Sequence, residues 1–95
     1  MASEYQQTAK ILKALSDPKR LKIVSMLSEG ELCAGSILES FQVSQPTLSH
    51  DMKLLIESGL IADRREGKRV IYSVNREAMD ALLDTLCRMT GTSHS

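Results

Sequence analysis

Tryptophan is absent from this 95-residue chain, which has one phenylalanine and two tyrosines. A core has to be assembled from Leu, Ile, Val, Met and Ala instead. Net charge is also missing, with 12 basic residues against 12 acidic ones. That balance argues against a protein held to nucleic acid by bulk charge, although it leaves room for a local basic patch. No apolar run approaches the roughly 18–20 residues of a membrane span. The segment Met1-Ala2-Ser3-Glu4-Tyr5-Gln6 lacks the basic start and apolar stretch of a secretory signal. A cytoplasmic protein is therefore expected, with Cys33 and Cys87 mostly reduced. There is no Gly-rich phosphate loop, and neither of the two histidines is paired with a plausible nucleophile. An enzyme is the weakest reading, and no cofactor is expected.

What is present is an ordinary globular balance, 42% apolar and 25% charged. The length fits one domain over residues 1–95, and so small a core makes oligomerisation a reasonable expectation. The first helix is expected over about 4–15, with Tyr5, Ala9, Leu12 and Leu15 at helical spacing. Asp17-Pro18 restarts the chain as N-cap and first helical residue. The second helix places Leu21, Val24 and Leu27 on one face and stops at Gly30. A short third helix over about Ala34–Phe41 buries Ile37, Leu38 and Phe41. Ser44 caps a fourth helix that ends at Gly59.

From Leu60 the period changes to two. Leu60–Arg65 and Arg69–Val74 flank Glu66-Gly67-Lys68, which reads as a β-hairpin with Val70, Tyr72 and Val74 alternating. Asn75 caps a last helix over about 76–90, with Met79, Leu82, Leu83 and Leu86 in an apolar stripe, and Gly91–Ser95 read as a frayed tail. The fold class is mainly α with a small β-hairpin, in the order α-α-α-α-β-β-α. That is the layout of a winged helix-turn-helix.

On a helical wheel of residues 44–58, Leu48, Met52 and Leu55 fall together, with Ile56 at their edge. The opposite face shows Pro46, Thr47, His50 and Lys53, flanked by Gln45 and Ser49. Hydroxyls, amides and a lysine are the groups a major-groove helix uses on base edges and phosphates, and a helix N-terminus itself favours a phosphate. Taken alone, such a face is more often simply solvated. The next element shifts the balance. Arg64-Arg65-Glu66-Gly67-Lys68-Arg69 carries a net charge of +3, suited to lie along a backbone or minor groove. A charged hairpin can also serve only to protect a sheet edge. The two features together, in this order, point to double-stranded DNA as partner. The candidate DNA-binding residues are Ser44, Gln45, Pro46, Thr47, Ser49, His50, Lys53, Arg64, Arg65, Lys68 and Arg69.

The stretch Ile11–Val74 resembles the ArsR/SmtB family of bacterial winged-helix repressors. The resemblance is carried by Leu15-Ser16-Asp17-Pro18-Lys19-Arg20-Leu21-Lys22-Ile23, Glu31-Leu32-Cys33, Val43-Ser44-Gln45-Pro46-Thr47-Leu48-Ser49-His50, Leu54-Leu55 and Ser58-Gly59-Leu60-Ile61. It implies a homodimer through the first and last helices, and so gives Tyr5, Leu12, Met79, Leu82, Leu83 and Leu86 as interface candidates. It also implies repression at a palindromic operator, with release by an effector. Asp51 departs from the pattern, because many members carry His there. It sits on the flank of the wheel, placed either for an internal hydrogen bond or near phosphates.

The family's metal sites are not completed by these residues. The thiol site of arsenic sensors resembles Glu-Leu-Cys-x-Cys, whereas this chain has Glu31-Leu32-Cys33-Ala34-Gly35 and keeps one thiolate. The zinc pattern on the last helix has Leu82 in place of His, leaving Asp80 and a distant His94. No metal is therefore expected. Cys33 and Cys87 are a candidate redox pair, with helix three placed to lower the Cys33 pKa. Cys87 also lies on the apolar stripe, where it reads as a small hydrophobe. Two rival readings are a winged-helix module that binds only proteins and a constitutive autorepressor without an inducer.

Overall fold

Three side-chain caps start the principal helices where the sequence places them. Asp17 accepts from the Arg20 N–H at 3.1 Å, Ser44 from Thr47 at 3.3 Å and Asn75 from Ala78 at 3.1 Å. Each satisfies an amide that the helix itself leaves orphaned. The computed structural model describes residues 2–93. Its elements are α1 (Ala2–Leu15), α2 (Pro18–Leu27), β1 (Leu32–Cys33), α3 (Ala34–Glu39), α4 (Gln45–Glu57), β2 (Ile61–Glu66), β3 (Arg69–Val74) and α5 (Arg76–Thr90). Pro18 and Pro46 both sit in a first helical turn, where the missing N–H costs nothing.

The sheet is antiparallel, in the order β1-β3-β2. Gly67, at φ +64°, and Lys68 form the two-residue turn between β2 and β3. A left-handed φ there favours glycine. The third strand is an addition to the expected order. β1 pairs Leu32 with Tyr72 and Cys33 with Ile71, so β3 lies in the middle of the sheet. A two-residue strand shows no alternation and leaves no periodic trace in the sequence.

The main core is a cluster of Ile23, Leu27, Ile37, Leu48, Met52, Leu55 and Ile61, with Leu32, Leu38, Phe41, Tyr72 and Val74 packed against it. The α4 face of Leu48, Met52 and Leu55 is buried as the wheel requires. Two readings of the pattern need correction, on α2 and on α3. On α2 the buried positions are Ile23 and Leu27, while Leu21 is 52% exposed. On α3 the helix ends at Glu39, and Leu38 and Phe41 are only half-buried. On α1 the buried side chains are Thr8 and Ala14, so Tyr5, Ala9 and Leu12 face away from the protomer. The hairpin alternation also hides one core residue, because Ile71 is buried among the outward-facing positions of β3.

Candidate nucleic-acid interface

The first turns of α4 present a polar face to solvent. Ser44, Gln45, Pro46, Thr47, Ser49, His50 and Lys53 are all exposed, and Leu48, Met52 and Leu55 hold the opposite side of the helix in the core. Ser44 Oγ lies 2.9 Å from Thr47 Oγ1 while capping the Thr47 amide. Both hydroxyls are thus fixed at the helix start. A row of donors and acceptors at a positive helix end suits a phosphate or a base edge.

Asp51 is not part of that surface. It is 4% exposed, on the inner side of α4. Its Oδ1 accepts from Arg20 Nη1 at 3.0 Å, and its Oδ2 lies 2.8 Å from Lys19 Nζ. The second contact is short, yet Oδ2 has no aligned hydrogen bond, so it is a charge contact. Arg20 in turn donates from Nε to the Ala14 carbonyl at 2.7 Å. One guanidinium thus joins the end of α1, the start of α2 and the middle of α4. The flank position on the wheel is internal, and the acidic group is a strut between helices.

The β-register sorts the cations of the hairpin. Asp63 pairs with Tyr72 and Arg65 with Val70. Alternation therefore puts Arg65 on the face that carries Tyr72, and Tyr72 borders a cleft with Gln45, Leu48 and Ser49 of α4. Arg64, opposite Ile71, belongs to the other face with Cys33. It is ion-paired to Glu31 and, at 3.1 Å, to Glu66. These carboxylates engage its charge, while the Arg64 side chain itself stays exposed. Arg65, Lys68 and Arg69 are exposed and have no ion pair among the described residues.

Cys33 caps the N-terminus of α3 through its backbone, and its Sγ lies 3.3 Å from Ser36 Oγ. Hydrogen bonding from Ser36, helped by the Arg69 guanidinium, lowers its pKa to about 7. Cys87 is half-buried on α5, and both thiols are free. Among the described residues, no three His, Cys, Asp or Glu side chains come together to hold a metal ion. His94 lies outside the described residues.

Glu4 of α1 pairs with Arg88 of α5 at 2.8 Å. Around that contact Tyr5 is 64% exposed, Leu12 and Leu83 are exposed, and Met79 and Leu86 are half-buried. Leu82 differs from these. It is 5% exposed within the protomer, beside Thr8 and Ile11 of α1. It belongs to the protomer's own packing and has almost no surface left to offer a second chain.

The model of bacterial regulatory proteins of the arsR family matches residues 17–63, from the cap of α2 into β2. The arsenical resistance operon repressor of Staphylococcus xylosus is 49% identical over 82 residues, spanning 86% of this chain and 79% of that protein. The chain belongs to the arsR family. It is a winged helix-turn-helix DNA-binding regulator and not an enzyme. Transcriptional repressor SdpR of Bacillus subtilis is 42% identical over 65 residues, 68% of this chain and 72% of that one. The solution structure of a homodimeric winged helix-turn-helix DNA-binding domain from Mycobacterium bovis covers 99% of this chain and 92% of its own, at a TM-score of 0.77 and 25% identity. Among the described residues no helix is long and apolar enough to cross a membrane.

Proposed function

We propose that this arsR-family chain is a cytoplasmic transcriptional repressor that binds a palindromic operator as a homodimer. The observation that carries the reading is the exposed polar start of α4 beside a hairpin whose Arg65, Lys68 and Arg69 lack acidic partners among the described residues. Gln45, Thr47, Ser49 and His50 read base edges in the major groove. Ser44, the helix N-terminus and Lys53 take phosphates, and Pro46 stiffens the entry. Arg65, Lys68 and Arg69 follow the backbone or the minor groove beside it. Arg64 acts mainly by bracing the hairpin on Glu31.

Tyr5 and Leu12 of α1 with Met79, Leu83 and Leu86 of α5 supply the apolar contact between protomers. This is supported by their exposure in the single chain and by the homodimeric Mycobacterium bovis relative. Two α4 helices then meet half-sites about one turn of duplex apart. Release follows from an effector or from modification of a thiol, with Cys33 the more reactive of the two.

The test is fluorescence anisotropy with duplex DNA from upstream of the protein's own gene, reduced and oxidised, over a range of salt. The expected result is tight binding whose logarithm falls linearly with log salt concentration. A protein with no salt-sensitive affinity for that duplex, or one that stays monomeric, overturns the reading.

A further inference from the structure

A cavity of about 340 Å³ opens between α1, α2 and the C-terminal end of α4. Lys10, Lys13 and Arg20 line it, with Ala14 and Leu54 as apolar walls and one carboxylate, Glu57. Neither lysine has an ion pair among the described residues. Arg20 commits Nε to Ala14 and Nη1 to Asp51, which leaves Nη2 without a hydrogen-bond partner among the described residues. Lys19 and Arg20 share the single carboxylate of Asp51. The neighbourhood thus holds four cations against two acids in a chain that is neutral overall. Surface lysines are ordinarily just solvated. Here they flank an apolar hollow together with the unused edge of a largely buried guanidinium.

We infer that this cavity binds a small amphipathic anion, a carboxylate on a short apolar body. The carboxylate sits among Lys10, Lys13 and Arg20 Nη2 while the body covers Ala14 and Leu54. A carboxylate is the matching ligand because guanidinium and ammonium donors favour it, and the apolar walls reward a hydrocarbon end. The site also has a route to α4. An anion on Nη2 shares the guanidinium whose Nη1 holds Asp51, the strut between α4 and α2, so its binding bears on that contact. This coupling, unlike the binding itself, rests on the DNA-binding reading above.

The experiment is isothermal titration calorimetry of the full chain with hexanoate, 1-hexanol and inorganic phosphate at constant ionic strength. Hexanoate should bind saturably, one per chain. The alcohol lacks the charge and phosphate lacks the apolar body, so each should bind at least about tenfold more weakly, a difference of about 1.4 kcal/mol. The double variant Lys10→Glu/Lys13→Glu changes two exposed positions and should melt within about 2 °C of the parent. It should nevertheless lose at least about tenfold in hexanoate affinity. The site is overturned if hexanoate fails to saturate by about 10 mM, if phosphate binds equally well, or if the double variant binds like the parent. It is also overturned if the double variant loses duplex affinity without ligand, because the lysines would then be phosphate contacts. A chain that takes hexanoate but no duplex sustains the site and overturns the DNA-binding reading.

Discussion

Replacing Asp51 by Ala would leave Arg20 and Lys19 facing each other across the inner side of α4 with no counter-charge. Breaking a buried pair by removing one member costs about 3–5 kcal/mol. The Arg20 and Lys19 side chains keep 15% and 25% of their exposure against 5% for Asp51, so water recovers part of that loss and about 2–3 kcal/mol is the better expectation. For a domain of this length each kcal/mol lowers Tm by about 4–8 °C, which gives a fall of about 8–24 °C. Asp51→Asn keeps the shape and one acceptor and should fall about half as far. Changing the partner as well, in Asp51→Ala/Arg20→Met, should recover at least about 1 kcal/mol relative to the sum of the single changes. Thermal denaturation followed by circular dichroism measures all of these. Protein concentration must be held fixed, because a dimer's Tm depends on it. Were Asp51 a surface acid beside phosphates, its removal would leave Tm within about 1 °C and tighten DNA binding. That outcome would refute the strut.

The other expectations concern the groove, the dimer and the thiol. Lys53→Ala with Arg65→Ala should weaken binding to every duplex and flatten its salt dependence by about one unit of slope per lost phosphate contact, read by anisotropy. Gln45→Ala, Thr47→Ala or Ser49→Ala should instead relax sequence preference by about 1–3 kcal/mol for each good contact, read by competition among operator variants. Leu83→Glu or Leu86→Glu should yield folded monomers in analytical ultracentrifugation, whereas Leu82→Glu should unfold the protomer itself, because a charge would enter its packed interior. Alkylation of Cys33 by iodoacetamide should climb through pH 7, its lowered pKa, where an ordinary thiol responds about 1.5 units higher. Ser36→Ala removes the main stabiliser of the thiolate and should slow the reaction at pH 7.

Much of this architecture is legible in the chain because local chemistry and periodicity agree. Asp17, Ser44 and Asn75 are cap residues in sequence and in structure, and the α4 stripe of Leu48, Met52 and Leu55 is both periodic and buried. Legibility fails where a helix serves two neighbours. On α1 the periodic apolar stripe of Tyr5, Ala9 and Leu12 is the outward one, and the protomer is sealed by Thr8 and Ala14, which no hydrophobic pattern would select. Leu21 shows the same limit, because a large apolar side chain carries no label for which surface it meets. The partners of two charged residues were hidden for a shared reason. Asp51 finds Lys19 and Arg20, and Arg64 finds Glu31 besides the neighbouring Glu66; pairing across about thirty residues leaves no spacing to read. In the candidate site, residue types were readable from the sequence. Which cations remain free depends on sheet register and could come only from the structure.

The pairing of Leu32 with Tyr72 and Cys33 with Ile71 has a topological effect out of proportion to its size. Both α3 and α4 lie on the stretch of chain between those partners, so the short ladder acts as a drawstring around the whole helix-turn-helix. The same knot anchors the hairpin's inner strand. Loosening those backbone contacts would slacken the closure on the side of the wing, while α4 stays seated through Leu48, Met52 and Leu55 and through the Asp51 strut.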